Sequence, residues 1–479
     1  MGRKQLIDLL IAEGLVQQVG RVTPEEMADS YLLELTRRSM LQVYKRTPNG
    51  NPIKFKMHDL LRELALSVSE AENFCTVITG EQGNMEIKAR RLSLQGSNVQ
   101  LRSYRGLSKV RTLFVFSPSI IPSSLSAVLS SLRWVAVLNL RGTPIVELPP
   151  EIAYFFNLIY LNLSKTNIER LPKSIGNLCN LQRLDVSGSK IENLPCEITK
   201  LKRLEILNVW QRSSGGDFDS LFFNGGVWAP SNICELKNLN KLSLIRVGDD
   251  LLKRLRYMTQ LRALSVAEVK EAHEKDLCIS IEGMKLLKRL CVSTVDRNEV
   301  LRMDALSSVP PSLDKLLLCG KLEKVLHWFT SLHTLTSLAL YRSKLTEDCL
   351  PYIQMLPNLR ELWLRHTHVG SRLCFSSGFQ NLSILEVHGF PTLNEIIIVK
   401  GVMPCIYKLM VGNCKELKSL PHGIEHLSNL RKLYLDRMPD EFIASIRGEE
   451  SVDRHKVQHI SRITHSFKTQ SGLSFEDLS

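Results

Sequence analysis

Leucines recur along most of this chain with a period too long for any single helix or strand. The segments VAVLNLRGTPIVELPPEI, LIYLNLSKTNIERLPKSI and LQRLDVSGSKIENLPCEI align without a gap, so Leu138, Leu161, Leu184 and Leu207 stand 23 residues apart. Thr143, Thr166 and Ser189 keep the same phase, as do Pro149, Pro172 and Pro195. The spacing then loosens to between 22 and 26 residues at Leu242, Leu264, Leu290, Leu316, Leu338, Leu362, Leu385, Leu409 and Leu433. Leu92 and Leu113 are weaker early members, which gives about fifteen repeats.

Each Leu-x-x-Leu-x-Leu stretch predicts a short strand with its leucines inward and the intervening residues outward. One repeat cannot bury its own apolar row, so neighbours must stack into a curved parallel sheet. The fold class is therefore α/β, a leucine-rich-repeat solenoid over residues 85–445. Thr143, Thr166 and Ser189 follow the strands, where their hydroxyls are expected to bond turn backbone, and the Leu-Pro step ends the turn. Between Leu207 and Leu242 the chain inserts SSGGDFDSLFFNGGVW. That stretch reads as a loop, with Phe218, Phe222, Phe223 and Trp228 as its candidate contact residues.

The first eighty residues follow other rules. Arg3 to Glu13 reads as a helix stopped by Gly14. Thr23-Pro24-Glu25-Glu26 is a capping box with proline at the first helical position, opening a helix to about Arg38. LQVYKR and IKFKM alternate on either side of TPNGNP, where Asn49-Gly50 favours a hairpin turn. A third helix begins near Asp59 and carries LLRELAL. Helix, helix, hairpin, helix is the order of a winged-helix domain, and DNA binding is the first function such a domain suggests. Charge argues against it here, because residues 1–80 hold ten Lys/Arg against ten Asp/Glu and offer no surplus to displace counterions.

Composition narrows the function further. Apolar residues make up 44% and aromatic residues 6%, which suits a leucine-built binding scaffold better than an aromatic-lined pocket. The net charge of +13 falls on the repeats, since the tail 446–479 also balances. A basic repeat face suits an acidic protein partner or an acidic neighbouring domain. Eleven cysteines with no Cys-x-x-Cys pair read as reduced, mostly buried thiols of a cytosolic protein. No apolar run of membrane-spanning length occurs, and Asp8 and Glu13 interrupt any signal core. The tail 446–479 reads as polar and loose.

Repeat phase places Tyr341, Trp363, Arg365, His388, Met410 and Tyr434 on the concave sheet face as the candidate partner-binding surface, with Trp363 the foremost. His366-Thr-His368 with His388 has no cysteine or acid at ligand spacing, so no metal site is assigned. No nucleophile triad or carboxylate pair stands out, so no catalytic residue is assigned and the chain is read as a binding protein.

RKQLIDLLIAEGLVQ, YLLELTRRSMLQV and KMHDLLRELAL resemble the winged-helix part of plant intracellular immune receptors, the coiled-coil, NB-ARC, leucine-rich-repeat disease-resistance proteins. RRLSLQG, from Arg90 to Gly96, resembles the segment where their repeats begin, and the likeness covers nearly the whole chain. It implies that Met57, His58 and Asp59 form the family's nucleotide-sensing MHD motif. His58 would meet ADP phosphate, Asp59 would cap the following helix, and Met57 would pack; an imidazole N–H can donate to phosphate. The family's phosphate loop, Gly-x-x-x-x-Gly-Lys-Ser/Thr, is missing, and LDKLLLC ahead of Gly320-Lys321 does not replace it. The resemblance therefore implies a truncated receptor, a gene fragment or an alternative product, with a partial winged-helix domain at 1–80 whose apolar face is uncovered. Such a chain carries no cofactor of its own, ADP or ATP being expected only in a full-length relative. The implied function is that of a plant innate-immune receptor fragment in the cytoplasm, free or peripheral to a membrane. Its repeats would bind a pathogen effector, a guarded host protein or the receptor's own NB-ARC domain, and no nucleic acid. A repeat scaffold or adaptor for signalling proteins without an immune role is the alternative, and KMHDLLREL favours the receptor.

Overall fold

The computed structural model describes every residue except 18–21, 47–51, 80–85, 96–104, 117–119, 121, 211–225, 297, 325, 346–348, 368–369, 449 and 470–471. The inserted loop with Phe218, Phe222 and Phe223, the Asn49-Gly50 turn and His368 thus lie outside the described residues. Two compact units divide the chain, Met1–Arg254 and Leu255–Ser479.

The first unit opens with α1 (Arg3–Ala12), α2 (Pro24–Arg37), the strands β1 (Gln42–Arg46) and β2 (Pro52–Lys56), and α3 (Asp59–Ala71). Gly14, at φ +68°, supplies the left-handed turn that ends α1. The α2 capping box is formed: the Thr23 hydroxyl accepts from the Glu26 amide at 3.3 Å, and the Thr23 amide donates to the Glu26 carboxylate at 3.0 Å. Strands β1 and β2 pair antiparallel, with Val43 opposite Phe55.

The repeats of this unit contribute β3 (Thr76–Ile78), β4 (Arg91–Leu94), β5 (Thr112–Val115), β6 (Val137–Asn139), β7 (Tyr160–Asn162), β8 (Arg183–Asp185), β9 (Ile206–Asn208), β10 (Val227–Trp228) and β11 (Lys241–Arg246). Each pairs parallel with the next, except that β11 pairs with β9 through its first half and with β10 through its second. The repeat leucines meet in register from Leu92 through Leu113, Leu138, Leu161, Leu184 and Leu207 to Leu242. All seven are fully buried, and each contributes about 1.5–3 kcal/mol by leaving water. Because β3 is the first rung of this ladder, the expected domain boundary at residue 80 falls inside the repeats and is corrected to before Thr76.

The hydroxyls behave as their position requires. Thr143 and Thr166 each donate at 2.7 Å to the carbonyl three residues back, while Ser189 accepts from the Ile191 amide at 3.4 Å. A second row, Asn139, Asn162 and Asp185, accepts the amide two residues on at 2.9–3.1 Å and bends the chain out of each strand.

The second unit repeats the design with β12 (Ala263–Val269), β13 (Arg289–Thr294), β14 (Lys315–Cys319), β15 (Ser337–Tyr341), β16 (Glu361–Arg365), β17 (Arg372–Phe375), β18 (Ile384–His388), β19 (Glu395–Ile398), β20 (Lys408–Gly412), β21 (Lys432–Asp436), β22 (Arg462–Thr469) and β23 (Gly472–Asp477). Strands β17 and β19 form a separate short parallel ladder. In the main ladder Leu264, Leu290, Leu316, Leu338, Leu362, Leu385, Leu409 and Leu433 stand in register.

The tail departs from expectation. Residues 446–479 are not a loose extension: β22 lies parallel to β21 with Ile463 opposite Leu433, and β23 folds back antiparallel on β22. RITHSFKT alternates, so Ile463 and His465 turn inward as leucines would, and the segment closes the sheet edge. Of the eleven cysteines, all unpaired, five are buried and three half-buried; Cys179, Cys196 and Cys405 are exposed.

Candidate functional site

In the first unit, Arg91, Thr112, Val137, Tyr160, Arg183, Ile206 and Lys241 share one register row on the sheet face opposite the leucines. Helix α1 lies along that row. At one end the Glu13 carboxylate accepts from Arg91 at 2.8 Å and from the Thr112 hydroxyl. Leu9 and Ala12 pack with Val137 and Tyr160 at the centre. Arg183 donates to Asp8, and its second terminal nitrogen donates to Glu25 of α2 at 2.7 Å. Lys4 reaches Lys241 at the far end. The winged-helix helices are thus fastened over the repeat sheet through an ion cluster around Arg183, whose side chain is 3% exposed.

Burial sets the electrostatics of this contact. It pushes the Asp8 carboxyl up against the pull of Arg183, and it raises the Tyr160 phenol, helped by Asp8. It also pushes the Lys241 ammonium down, reinforced by the like charge of Lys4 and opposed by Asp185 and Asp8. With the folded-state value below the unfolded 10.5, the unfolded chain binds the extra proton, so stability rises with pH towards 10.5. Raising the pH from 7.5 to 9 is expected to stabilise the wild-type chain progressively relative to Lys241→Met. Urea midpoints across that range measure it, and parallel pH slopes for the two proteins would remove the assignment.

The same sheet face in the second unit carries the expected binding residues. Its middle register row runs Leu317, Ala339, Trp363, Glu386, Met410 and Tyr434. Trp363, Met410 and Tyr434 are half-buried, and the Lys408 ammonium sits 4.4 Å from the Tyr434 ring centre. The next row holds Tyr341, Arg365, His388, Gly412 and Asp436. Tyr341 corrects the expectation: it is only 4% exposed, because the Arg365 guanidinium lies over it, 5.8 Å from the ring centre. Tyr341 therefore supports the surface from beneath.

Two carboxylates that sequence phase alone did not single out organise this face. Glu386, 1% exposed, accepts from Arg365 and fixes its guanidinium. Asp436 accepts from His388 at 3.0 Å, Arg437 at 2.9 Å and Ser466 at 2.7 Å. Partial burial would raise the Asp436 carboxyl, but these three donors overcome it and hold the group well below the usual range. His388 reaches Asp436 across Gly412, where a Cβ would stand 2.7 Å from the imidazole and 2.9 Å from the Asp436 side chain. The His366 ring meets His388 edge-on at 6.1 Å.

The Met57-His58-Asp59 triplet lies at the start of α3. His58, not Asp59, is the helix cap, its Nδ1 accepting from the Leu60 amide at 3.4 Å. Asp59 is the first helical residue and pairs with Arg62 at 3.2 Å, where its charge favours the helix start. Met57 is half-buried and the other two are exposed. The imidazole is turned onto the helix, a carboxylate stands beside it, and the sequence has no phosphate loop. Helix α3 buries none of its residues, and Leu60, Leu64, Leu66 and Val68 are 45–72% exposed.

Comparison with known proteins matches residues 1–65 to the disease resistance protein winged helix domain and residues 109–458 to the leucine-rich repeat region family. The disease resistance protein RPM1 of Arabidopsis thaliana is 42% identical over 100% of this chain and 52% of its own length. The disease resistance protein RPP8 of the same plant is 27% identical over 91% of this chain and 49% of its own. The chain spans about half the length of the curated relatives it matches. Among solved structures, a leucine-rich-repeat protein of Leptospira interrogans superposes with a TM-score of 0.51 at 22% identity, covering 78% of this chain and 89% of that one. That likeness bears on the fold alone. No helix among the described residues is long and apolar enough to cross a membrane.

Proposed function

This chain belongs to the leucine-rich-repeat disease resistance proteins that carry a winged-helix domain, and we propose on that premise that it supplies the partner-sensing surface of an intracellular plant immune receptor. The partner is a protein: a pathogen effector, a guarded host protein or another domain of the receptor. The observation that carries this reading is the different use that each unit makes of the sheet face opposite its leucines. In the first unit that face is covered by α1, while in the second the equivalent face presents Trp363, Met410 and Tyr434 half-open to solvent. Large aromatic side chains held by a rigid ion-paired bed are what a protein-binding hot spot requires. Arg365 and His388 serve as that bed, each tied to a carboxylate. The reading needs binding and no chemistry from this chain. Nucleotide would belong to a receptor that adds a phosphate loop, with His58 one contact among several.

Trp363→Ala with Tyr434→Ala is expected to lose the partner while the fold is kept. Each truncated hot-spot side chain typically costs about 2 kcal/mol or more of binding. The check is affinity capture on the tagged chain from infected and uninfected leaf tissue, with thermal unfolding as the control for folding. A pathogen or host protein retained by the wild type and lost by the double variant supports the reading. Identical partner sets with unchanged stability would remove the surface from consideration. A partner set of signalling enzymes, the same in both tissues, would favour a scaffold instead.

A further inference from the structure

We propose that the leading edge of the second-unit sheet docks an acidic, extended polypeptide segment of the partner protein, an inference that rests on this sheet face being the recognition surface. The main ladder has nine strands from β12 to β22 that each point a first side chain inward. The two residues ahead of that side chain include, over all nine strands, nine Lys or Arg and two carboxylates, Asp314 and Glu361. The resulting excess of seven is more than half of the chain's net +13.

Lys408 and Lys432 lie over the Tyr434 and Tyr407 rings at 4.4 and 5.2 Å, but from strand to strand the cations of this edge face one another. Arg289 stands directly opposite Lys315, and Lys432 stands between Lys408 and Arg462. Like charges directly opposite on neighbouring strands destabilise a sheet. Both carboxylates are engaged by hydroxyls of the neighbouring strand segments. Asp314 accepts from the Thr336 hydroxyl and Glu361 from Ser337 at 3.0 Å. Lys288, Arg289, Arg431 and Arg462 are all exposed to solvent. A charge pattern that costs stability and faces water is expected to be complemented from outside.

Shape and neighbours define the occupant. Eight steps between nine strands span roughly 38 Å at about 4.8 Å per step. An extended peptide covers that length with about eleven residues. The row beside the cationic edge carries Leu317, Trp363, Met410 and Tyr434, so a segment alternating acidic and apolar residues meets both rows at once. A polyphosphate chain fits less well, because the adjacent row of Leu317, Trp363, Met410 and Tyr434 offers it no charge.

Fluorescence anisotropy with the full chain tests this. The probe is a labelled peptide of about twelve residues alternating Glu or Asp with Leu or Phe. Controls are the same peptide with Gln and Asn, and a single-stranded oligodeoxythymidine of equal charge. The acidic peptide is expected to bind, to weaken roughly tenfold between 50 and 300 mM salt, and to lose at least about tenfold in affinity on the Lys288→Glu, Arg289→Glu, Arg431→Glu variant. Circular dichroism confirms that the variant is folded. Equal binding of the neutral peptide overturns the proposal. Tighter binding of the oligonucleotide, lost in the same variant, also overturns it and assigns the edge to nucleic acid. The underlying reading fails separately. If Trp363→Ala with Tyr434→Ala leaves partner capture intact, the recognition surface itself is wrong. If that pair abolishes capture while the charge variant does not, the surface stands and the acidic segment falls.

Discussion

Replacing Arg183 by methionine is expected to release α1 from the repeats, the largest effect of any single substitution at this contact. Arg183 is 3% exposed and is the shared donor to Asp8 and Glu25. Removing it takes from Asp8, 13% exposed, its hydrogen-bonded cation and leaves only the more distant charges of Lys4 and Lys241. Breaking one side of a buried ion pair in this way typically costs about 3–5 kcal/mol. Hydrogen exchange over Arg3–Ala12 reads the result directly, since every 1.4 kcal/mol is tenfold: protection should fall by about two to three orders of magnitude. Adding Asp8→Asn should restore much of it, because replacing both members of a buried pair is often close to neutral. Unchanged protection of α1 in Arg183→Met would mean that Leu9 and Ala12 hold the helix alone and that the ion cluster is dispensable.

That contact marks the limit of what the chain discloses in one dimension. The ladder itself was legible: leucines read off at 22 to 26 residues became paired rungs one after another, because inward burial imposes a single phase on every strand. The α2 start was equally plain, since a capping box is a four-residue interaction. The docking of α1 was not. Asp8 meets Arg183 across 175 residues, and no local period signals that pairing. Phase also could not rank residues sharing one face. Tyr341 and Trp363 both point away from the leucines, yet Arg365 covers the first and leaves the second half-open. Glu386 was passed over because a lone glutamate on an outward position reads as solvated, whereas Arg365 sits on the adjacent rung and draws it down. His58 and Asp59 were recognised as a motif, but their division of labour at the helix start depends on which side chain folds back, a choice between neighbours that their order cannot make.

The tail is the instructive failure, and it carries the second large expectation. RITHSFKT alternates apolar and polar residues, but isoleucine and histidine stand where Leu-x-Leu was sought, so its strand went unread. Deleting residues 462–479 removes that rung. Leu433 and Leu435, both at most 1% exposed, would lose the cover of Ile463 and His465. Burial of Ile463 alone is worth about 1.5–3 kcal/mol. The backbone edge from Lys432 to Asp436 would also be stripped of its partner strand. Repeat arrays rely on nearest-neighbour interfaces and on end caps for solubility, so the loss should propagate inward from β21 and bare an edge that pairs with other chains. The truncated chain is expected to unfold at lower urea and to self-associate, which light scattering after size exclusion measures. Ile463→Ala keeps the strand and should cost stability without self-association, separating the lost side chain from the opened edge. A monomeric truncation with an unchanged urea midpoint would show that β21 can end the sheet unaided, and that Lys432 and Asp436 guard the edge by their charges alone.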